Sequence, residues 1–335
     1  MEMIEIDGSY GEGGGQILRS AVAVSAITGI GVRIVNIRKN RPRPGLSIQH
    51  IKSIELVREM TGATTEGLAP GSTMISFFPG KIRSGKFFLD IGTAGSISLV
   101  LQSVTPIAAF APARVTVEVV GGTDVRWSPT IDYFKHVTMP AMSMFGFRGN
   151  LKLLGRGFYP SGGGRVAIEI EPSPLNGAII NEQPNEPVMG ISASSRLPEH
   201  VVKRQADAAK KYLNSVGIEV KDIALEVRND RSIGSSITLY SGFHGGSALG
   251  ERGVPAEKVG TDAGISMANS IESGAAVDPY LCDQLITFMA LSNGPSCVST
   301  GSVTSHAVTN MWIMEKMTGR RFTIEKNRAI SIQSV

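Results

Sequence analysis

The chain is poor in cysteine, in histidine and in charge, and each shortage excludes something. Its two cysteines, Cys282 and Cys297, have neither zinc-site spacing nor the density of a disulfide framework, which points to a reducing cytoplasm. Long hydrophobic runs are missing too. The most apolar stretch, 97–113, is broken by Gln102, Ser103, Pro106 and Pro112, so no membrane span is expected. The first residues, Met-Glu-Met-Ile-Glu-Ile-Asp, begin directly in a strand pattern without signal-peptide anatomy. A soluble cytoplasmic protein is therefore expected. Charged residues make up only 19% of the chain against 39 glycines, which speaks for a compact, turn-rich fold over disorder. The formal charge of +4 is compatible with a polyanionic ligand without requiring one.

What the chain does have is a weak internal repeat. Three helix-like segments, 47–62, 130–146 and 304–319, each end at a glycine, the residue that accepts the left-handed backbone of a C-cap at little cost. Two short strand-like runs follow each: 64–68 with 73–78, 150–154 with 165–170, and 321–325 with 329–332. Before each lie another helix and a strand: 16–28 then 32–37, 96–110 then 114–120, and 281–291 then 296–300. The unit reads strand, helix, strand, helix, strand, strand. Gly62 and Gly146 are 84 positions apart, Gly146 and Gly319 are 173 apart, and the excess of 89 is the size of a small domain. It falls between a strand near 178–180 and the helix near Tyr280, with 181–187 as a polar linker leading into it. The inserted segment has its own pattern: strands at 188–194, 223–227 and 236–240, helices at 199–216 and 257–273. The expected fold is α/β (α+β): residues 1–182 and 276–335 form a large domain of three βαβαββ repeats, and 183–275 a small α/β insert in the third.

Of the five histidines, His306 alone sits among small neighbours, in Thr-Gly-Ser-Val-Thr-Ser-His-Ala-Val-Thr-Asn (300–310), where a strand pattern turns into a helix. An imidazole there is accessible and biased toward its neutral, nucleophilic form by the helix dipole; a helix cap is the plainer alternative. Gly11-Glu-Gly-Gly-Gly-Gln16 opens a helix after a strand at 4–7, exposing backbone N–H groups to a phosphate. It lacks the Lys-Ser/Thr of a P-loop and the last glycine of a dinucleotide fingerprint, and a tight turn with close helix packing accounts for it equally. Glu12, Gln16 and Arg19, spaced four and three apart, share one helical face that suits a polyphosphate, with a divalent cation on Glu12.

A proline-stiffened loop carries Arg38, Lys39, Arg41 and Arg43 ahead of Gln49 and His50. Guanidinium forks bind phosphate oxygens well, though a solvated basic loop is the common case. Gln102 interrupts an apolar helix and needs a partner for its amide, whether a ligand or a buried structural bond. Tyr280-Leu-Cys-Asp-Gln284 opens another helix: Tyr280 fits a base stack or core packing, while Asp283 and Gln284 can orient an imidazole or bind a nucleotide.

Taken with Asp7-Gly-Ser-Tyr-Gly-Glu-Gly-Gly-Gly-Gln-Ile-Leu-Arg19, Arg41-Pro-Arg-Pro-Gly-Leu46, Gly95-Ser96, Val120-Gly-Gly-Thr-Asp124, Gly157-Phe-Tyr-Pro-Ser-Gly-Gly-Gly164 and Ser305-His-Ala-Val-Thr-Asn310, these motifs make the chain resemble the RNA 3′-terminal phosphate cyclase family over essentially its whole length. The resemblance implies three βαβαββ units related to enolpyruvyl transferases, with a smaller domain inserted in the last. It implies a ligase-type activity: His306 takes AMP from ATP, passes it to an RNA 3′-phosphate, and the 2′-hydroxyl closes a 2′,3′-cyclic phosphate. Glu12, Gln16, Gln102, Pro129 and Tyr280, Leu281, Cys282, Asp283 and Gln284 would bind the nucleotide. Arg19, Arg38, Arg41 and His50 would hold phosphates of ATP or RNA, and a divalent cation (Mg or Mn) would assist at Glu12. The alternatives are a non-catalytic cyclase-like ribosome-assembly protein, which would lack the histidine, and an enolpyruvyl-transferase-like enzyme, which has two domains of three units.

Overall fold

The computed structural model describes residues 3–183, 185–326 and 330–335. Met1, Glu2, Pro184 and residues 327–329 lie outside them, and with them the start of the strand expected at 329–332 and part of the linker expected at 181–187.

The first sheet comes from β1 (Met3–Asp7), α1 (Gly15–Thr28), β2 (Gly31–Val35), α2 (Ile48–Thr61), β3 (Thr64–Glu66) and β4 (Ile75–Phe78). The second comes from β5 (Gly85–Asp90), α3 (Ile97–Ala109), β6 (Val115–Gly121), α4 (Ile131–Tyr133), a π-helical turn (Phe134–Thr138), α5 (Met139–Met144), β7 (Gly149–Gly155) and β8 (Gly164–Ile170). After β9 (Ile179–Ile180) follow β10 (Val188–Ser195), α6 (Glu199–Ser215), β11 (Val220–Arg228), β12 (Gly234–Ser241), β13 (His244–Leu249) and α7 (Ala256–Glu272). The chain then runs through α8 (Pro279–Leu291), β14 (Ser296–Thr300), α9 (Ser305–Thr318), β15 (Phe322–Lys326) and β16 (Ile330–Ser334).

All four sheets are mixed and four-stranded. Three share one order: β1-β2-β4-β3, β5-β6-β8-β7 and β9-β14-β16-β15. In each, the first two strands are parallel and the other pairings antiparallel. The parallel pair requires a crossover helix, and α1, α3 and α8 supply it. The remaining sheet, β11-β10-β12-β13, has a different order.

The helices meet in the middle. α1 is apolar almost all round because it packs on α2, α3 and α9 at once, burying Ile17, Leu18, Val22 and Val24. Local signals set the helix ends. Thr304 accepts the Ala307 N–H at the start of α9, Asp278 accepts those of Tyr280 and Leu281 at α8, and Gly62 and Gly319 end α2 and α9 in the left-handed region. β10–β13 carry their own small core with α6 and α7, including Val188, Leu213, Ile237 and Met267.

Two elements differ from expectation. The helix expected at 130–146 is interrupted by the π turn, where the Met139 N–H reaches back to Phe134. Pro140 follows at once and has no N–H to offer the His136 carbonyl, so the ladder widens there. β13 was not foreseen in His244-Gly-Gly-Ser-Ala-Leu, a sequence of low strand propensity. It exists because its glycines allow close packing: a Cβ at Gly245 would sit 2.4 Å from the Tyr133 ring.

A buried ion cluster joins β11 to the second sheet. Arg156, wholly buried, bonds Glu226 on β11 at 2.5 Å and Asp124 at 3.3 Å, with Asp132 Oδ2 2.8 Å away but outside hydrogen-bond geometry.

Candidate active site

His306 occupies the first turn of α9, one residue after Ser305 and two after the Thr304 cap. Its side chain is 45% exposed, and Nδ1 lies 3.6 Å from Glu12 Oε2. That distance is too long for a hydrogen bond, but it turns Nδ1 toward the carboxylate and leaves Nε2 on the other edge of the ring. Burial pushes the imidazole below its ordinary pKa; Glu12 works against this, while Arg19 and Arg41 add to it. The ring is thus neutral at pH 7, the state a nucleophile needs.

The glycine-rich turn carries Glu12 to this point. Gly11, with φ of +57°, runs so close to α9 that a Cβ would meet Thr309 Oγ1 at 2.7 Å, and a Cβ at Gly15 would sit 2.1 Å from His50 Nε2. α1 therefore starts against α9 with no side-chain cap at Gly14, its first N–H groups uncapped. Gln16 bonds the His306 carbonyl at 3.2 Å, and Ser20 bonds Asn310 at 2.8 Å, which ties α1 to α9. The Gln16 Oε1 is buried with no hydrogen-bond partner among the described residues.

A cavity of about 530 Å³ opens beside the imidazole. Gln16, Arg19, Gln102 and Pro129 line it, as do Tyr280, Asp283, Gln284 and His306. Arg19 makes no hydrogen bond or ion pair among the described residues, and burial lowers its pKa to about 10 in spite of Asp283. Asp283 is the reverse case: burial, then Asp278, raises it to about 8, which favours its neutral, protonated form. Gln284 is held internally, donating to the Tyr280 carbonyl and accepting from Thr138.

Four expected residues are not among those lining the cavity. Leu281 and Cys282 are fully buried in the core, on the side of α8 away from the cavity residues Tyr280 and Gln284, and burial pushes the Cys282 thiol up. His50 is buried as the third residue of a cap, where Nδ1 accepts the Ser47 N–H at 3.2 Å. Burial, then Arg19 and Arg38, drives its pKa to about 3, so it offers no positive charge to a phosphate. Arg38 donates to the Gly45 carbonyl at 2.9 Å and closes its own loop. Arg41 does reach the site, bonding Glu12 Oε2 at 3.2 Å.

Other contributors were missed. Asp278 caps α8 and accepts the Tyr133 hydroxyl at 2.7 Å, and Tyr133 lines the cavity. The Asp-Pro start of α8 is a cap signature that sequence reading can find. Asn310 bonds the Asp283 carbonyl at 2.9 Å, while Gly245, Ser247 and Ser266 from β13 and α7 close one wall. No local pattern announces these.

An open, neutral imidazole beside a guanidinium without an ion pair among the described residues makes a cavity that can take an anionic ligand. Residues 10–324 match the family model described as RNA 3′-terminal phosphate cyclase, and the chain belongs to that family. It is 49% identical to the RNA 3′-terminal phosphate cyclase of Methanosarcina barkeri, over 99% of this chain and all of that one. Identity to the proteins of the same name from Methanococcoides burtonii and Archaeoglobus fulgidus is 48% and 47%, covering 98% of this chain each time and 98% and 99% of theirs.

Proposed function

We propose that the chain cyclises RNA 3′-terminal phosphates at the expense of ATP, with His306 as the residue that carries AMP. The observation that carries this reading is the neutral imidazole with Nδ1 toward Glu12 and Nε2 on the other edge of the ring, in one cavity with Arg19, which has no ion pair among the described residues.

In the first step Nε2 attacks the α-phosphorus of ATP; the bond to the bridging oxygen breaks and pyrophosphate leaves. The positive charge left on the ring is offset by the Glu12 carboxylate. A 3′-phosphate oxygen of RNA then attacks the same phosphorus, the P–N bond breaks and the imidazole is returned. The 2′-hydroxyl finally attacks the 3′-phosphorus, its proton passes to water, and AMP leaves with the cyclic phosphate formed. One difficult dehydration becomes three exchanges with good leaving groups.

Gln16, Gln102, Pro129, Tyr280, Asp283 and Gln284 would hold the nucleotide, and Arg19 and Arg41 the phosphates. A hard divalent cation fits as one brought in with the phosphates: Glu12 presents an open oxygen donor, and no group of three His, Cys, Asp or Glu side chains forms a cage among the described residues. Mg²⁺ or Mn²⁺ held by Glu12 would neutralise charge on the leaving pyrophosphate. The presence of His306 speaks against the ribosome-assembly alternative, and the common order of three sheets against a two-domain transferase.

The same reading divides the chain into a body of three βαβαββ repeats (1–182 and 276–335) and an insert (183–275). It sets the reaction in the cytoplasm, where the free thiols of Cys282 and Cys297 are stable. Among the described residues no helix is long and apolar enough to cross a membrane.

The test uses ATP labelled at the α-phosphate. The expected result is an acid-labile protein–AMP adduct that forms without RNA, is absent in His306→Ala, and is discharged by RNA ending in a 3′-phosphate. An adduct of full yield in His306→Ala overturns the assignment.

A further inference from the structure

Trp127 is 93% exposed, more than any other large hydrophobic side chain described, and it stands at the rim of the cavity that His306 lines. Its backbone is left-handed, with φ of +62°, a conformation that costs energy for any residue with a Cβ. Burial of the indole does not repay that strain, because the ring is in solvent. The neighbours enforce it instead. Arg126 forms an ion pair with Glu251, Ser128 Oγ donates to the Val125 carbonyl at 3.0 Å, and Ser98 Oγ donates to the Pro129 carbonyl at 2.7 Å. Thr130 then caps α4. The turn 125–130 is thus held on both sides and presents the indole at the mouth.

Two exposed aromatic side chains border this cavity, and they differ in exposure. Tyr280 is 65% exposed and belongs to the first turn of α8, two residues from the buried Cys282. Trp127 is the more exposed of the two. A mononucleotide is small enough to be taken inside a cavity of about 530 Å³. A polymer end is not: it must enter through the open side and leave the rest of its chain outside. The base next to a 3′-phosphate delivered to His306 therefore passes the rim.

We propose that Trp127 is the stacking platform for the terminal nucleobase of the RNA whose 3′-phosphate reacts. The proposal rests on the reading of His306 above. Aromatic stacking accepts all four bases, because each offers a π face, so Trp127 would give affinity for a nucleotide end without choosing its sequence.

The full-length protein is first loaded with AMP from α-labelled ATP, then given short RNAs ending in a 3′-phosphate, with the terminal nucleotide either intact or abasic. Trp127→Ala is expected to raise the KM for the intact RNA in AMP discharge by about 5- to 100-fold, with Trp127→Phe recovering most of the loss. The wild type should lose the same factor when the terminal base is removed, and Trp127→Ala should lose nothing more. An unchanged KM in Trp127→Ala overturns the proposal. So does an equal loss on intact and abasic RNA, which would make the residue structural, or a loss confined to adduct formation, which would assign the ring to adenine.

A second readout does not depend on His306 chemistry. The chain has two tryptophans, and Trp312 is stacked on Tyr10 with ring centres 4.0 Å apart. Titrating unloaded protein with 3′-phosphate RNA should quench indole emission in the wild type and not in Trp127→Phe. Quenching without any protein–AMP adduct would keep the platform and sink the reading of His306. An adduct without quenching would do the opposite.

Discussion

Arg19 is partly buried and Arg156 wholly so, and their surroundings are opposite. Arg156 is fully enclosed and faces three carboxylates, Asp124, Asp132 and Glu226, which keep its guanidinium charged against the cost of burial. The cluster has more negative than positive charge, so burial together with Asp124 and Glu226 holds Asp132 above the ordinary carboxylate range. Arg19 has no ion pair among the described residues, and the carboxylate that acts on it, Asp283, is itself pushed up to about 8. A cation surrounded by its counter-charges belongs to the scaffold. A cation left without one, at a cavity beside a neutral imidazole, is a place for an anion to arrive.

The strongest way to break this contrast is to remove Arg156. Arg156→Leu leaves buried carboxylates facing each other, and unfolding by denaturant should show a loss of about 3–5 kcal/mol. A variant of near-native stability would mean that the cluster is not holding β11 to the second sheet. The matching change, Arg19→Met, should leave stability within about 1 kcal/mol of the parent, since no protein partner is lost. Its effect should fall on adduct formation from ATP, by about 10- to 100-fold, the range for one charge-assisted hydrogen bond. A destabilisation as large as that of Arg156→Leu would erase the distinction.

The smallest effect is a displacement along the pH axis. His306 titrates below the ordinary histidine value, so adduct formation is full above that value and falls as pH drops through the depressed one. Glu12→Gln removes the neighbour that raises the pKa and should move the acid limb to lower pH. Arg41→Ala removes a cation that lowers it and should move the limb up. Both variants turn over more slowly, so the position of the limb is the measurement, not its height. Limbs that coincide with the parent's would show that neither group acts on the imidazole.

Much of this was legible along the chain. The glycine C-caps after α2 and α9, the glycine turn before α1 and the hydrophobic periods are local signals, and the corresponding elements lie within a few residues of where they were read. Placement in three dimensions is of another kind. Tyr280 through Gln284 read as one nucleotide-binding run, yet on a helix Tyr280 and Gln284 face the cavity while Leu281 and Cys282 turn into the core. His50 looked like one more basic group near the arginine loop, until its environment showed a buried, neutral cap. Trp127 carried no periodicity or motif at all; its exposure and backbone are properties of a turn held by Arg126, Ser128 and Ser98.

By itself the sequence determined most of the secondary-structure elements and the family, and it singled out His306 as a candidate, because caps, turns and motifs are written in neighbouring residues. Only the tertiary structure decided which charges are paired. Glu12 and His306 are 294 positions apart, and Arg156 and Glu226 are 70 apart. Coulomb energy and desolvation depend on separation in space and on the water that packing removes, and neither can be read from separation along a chain.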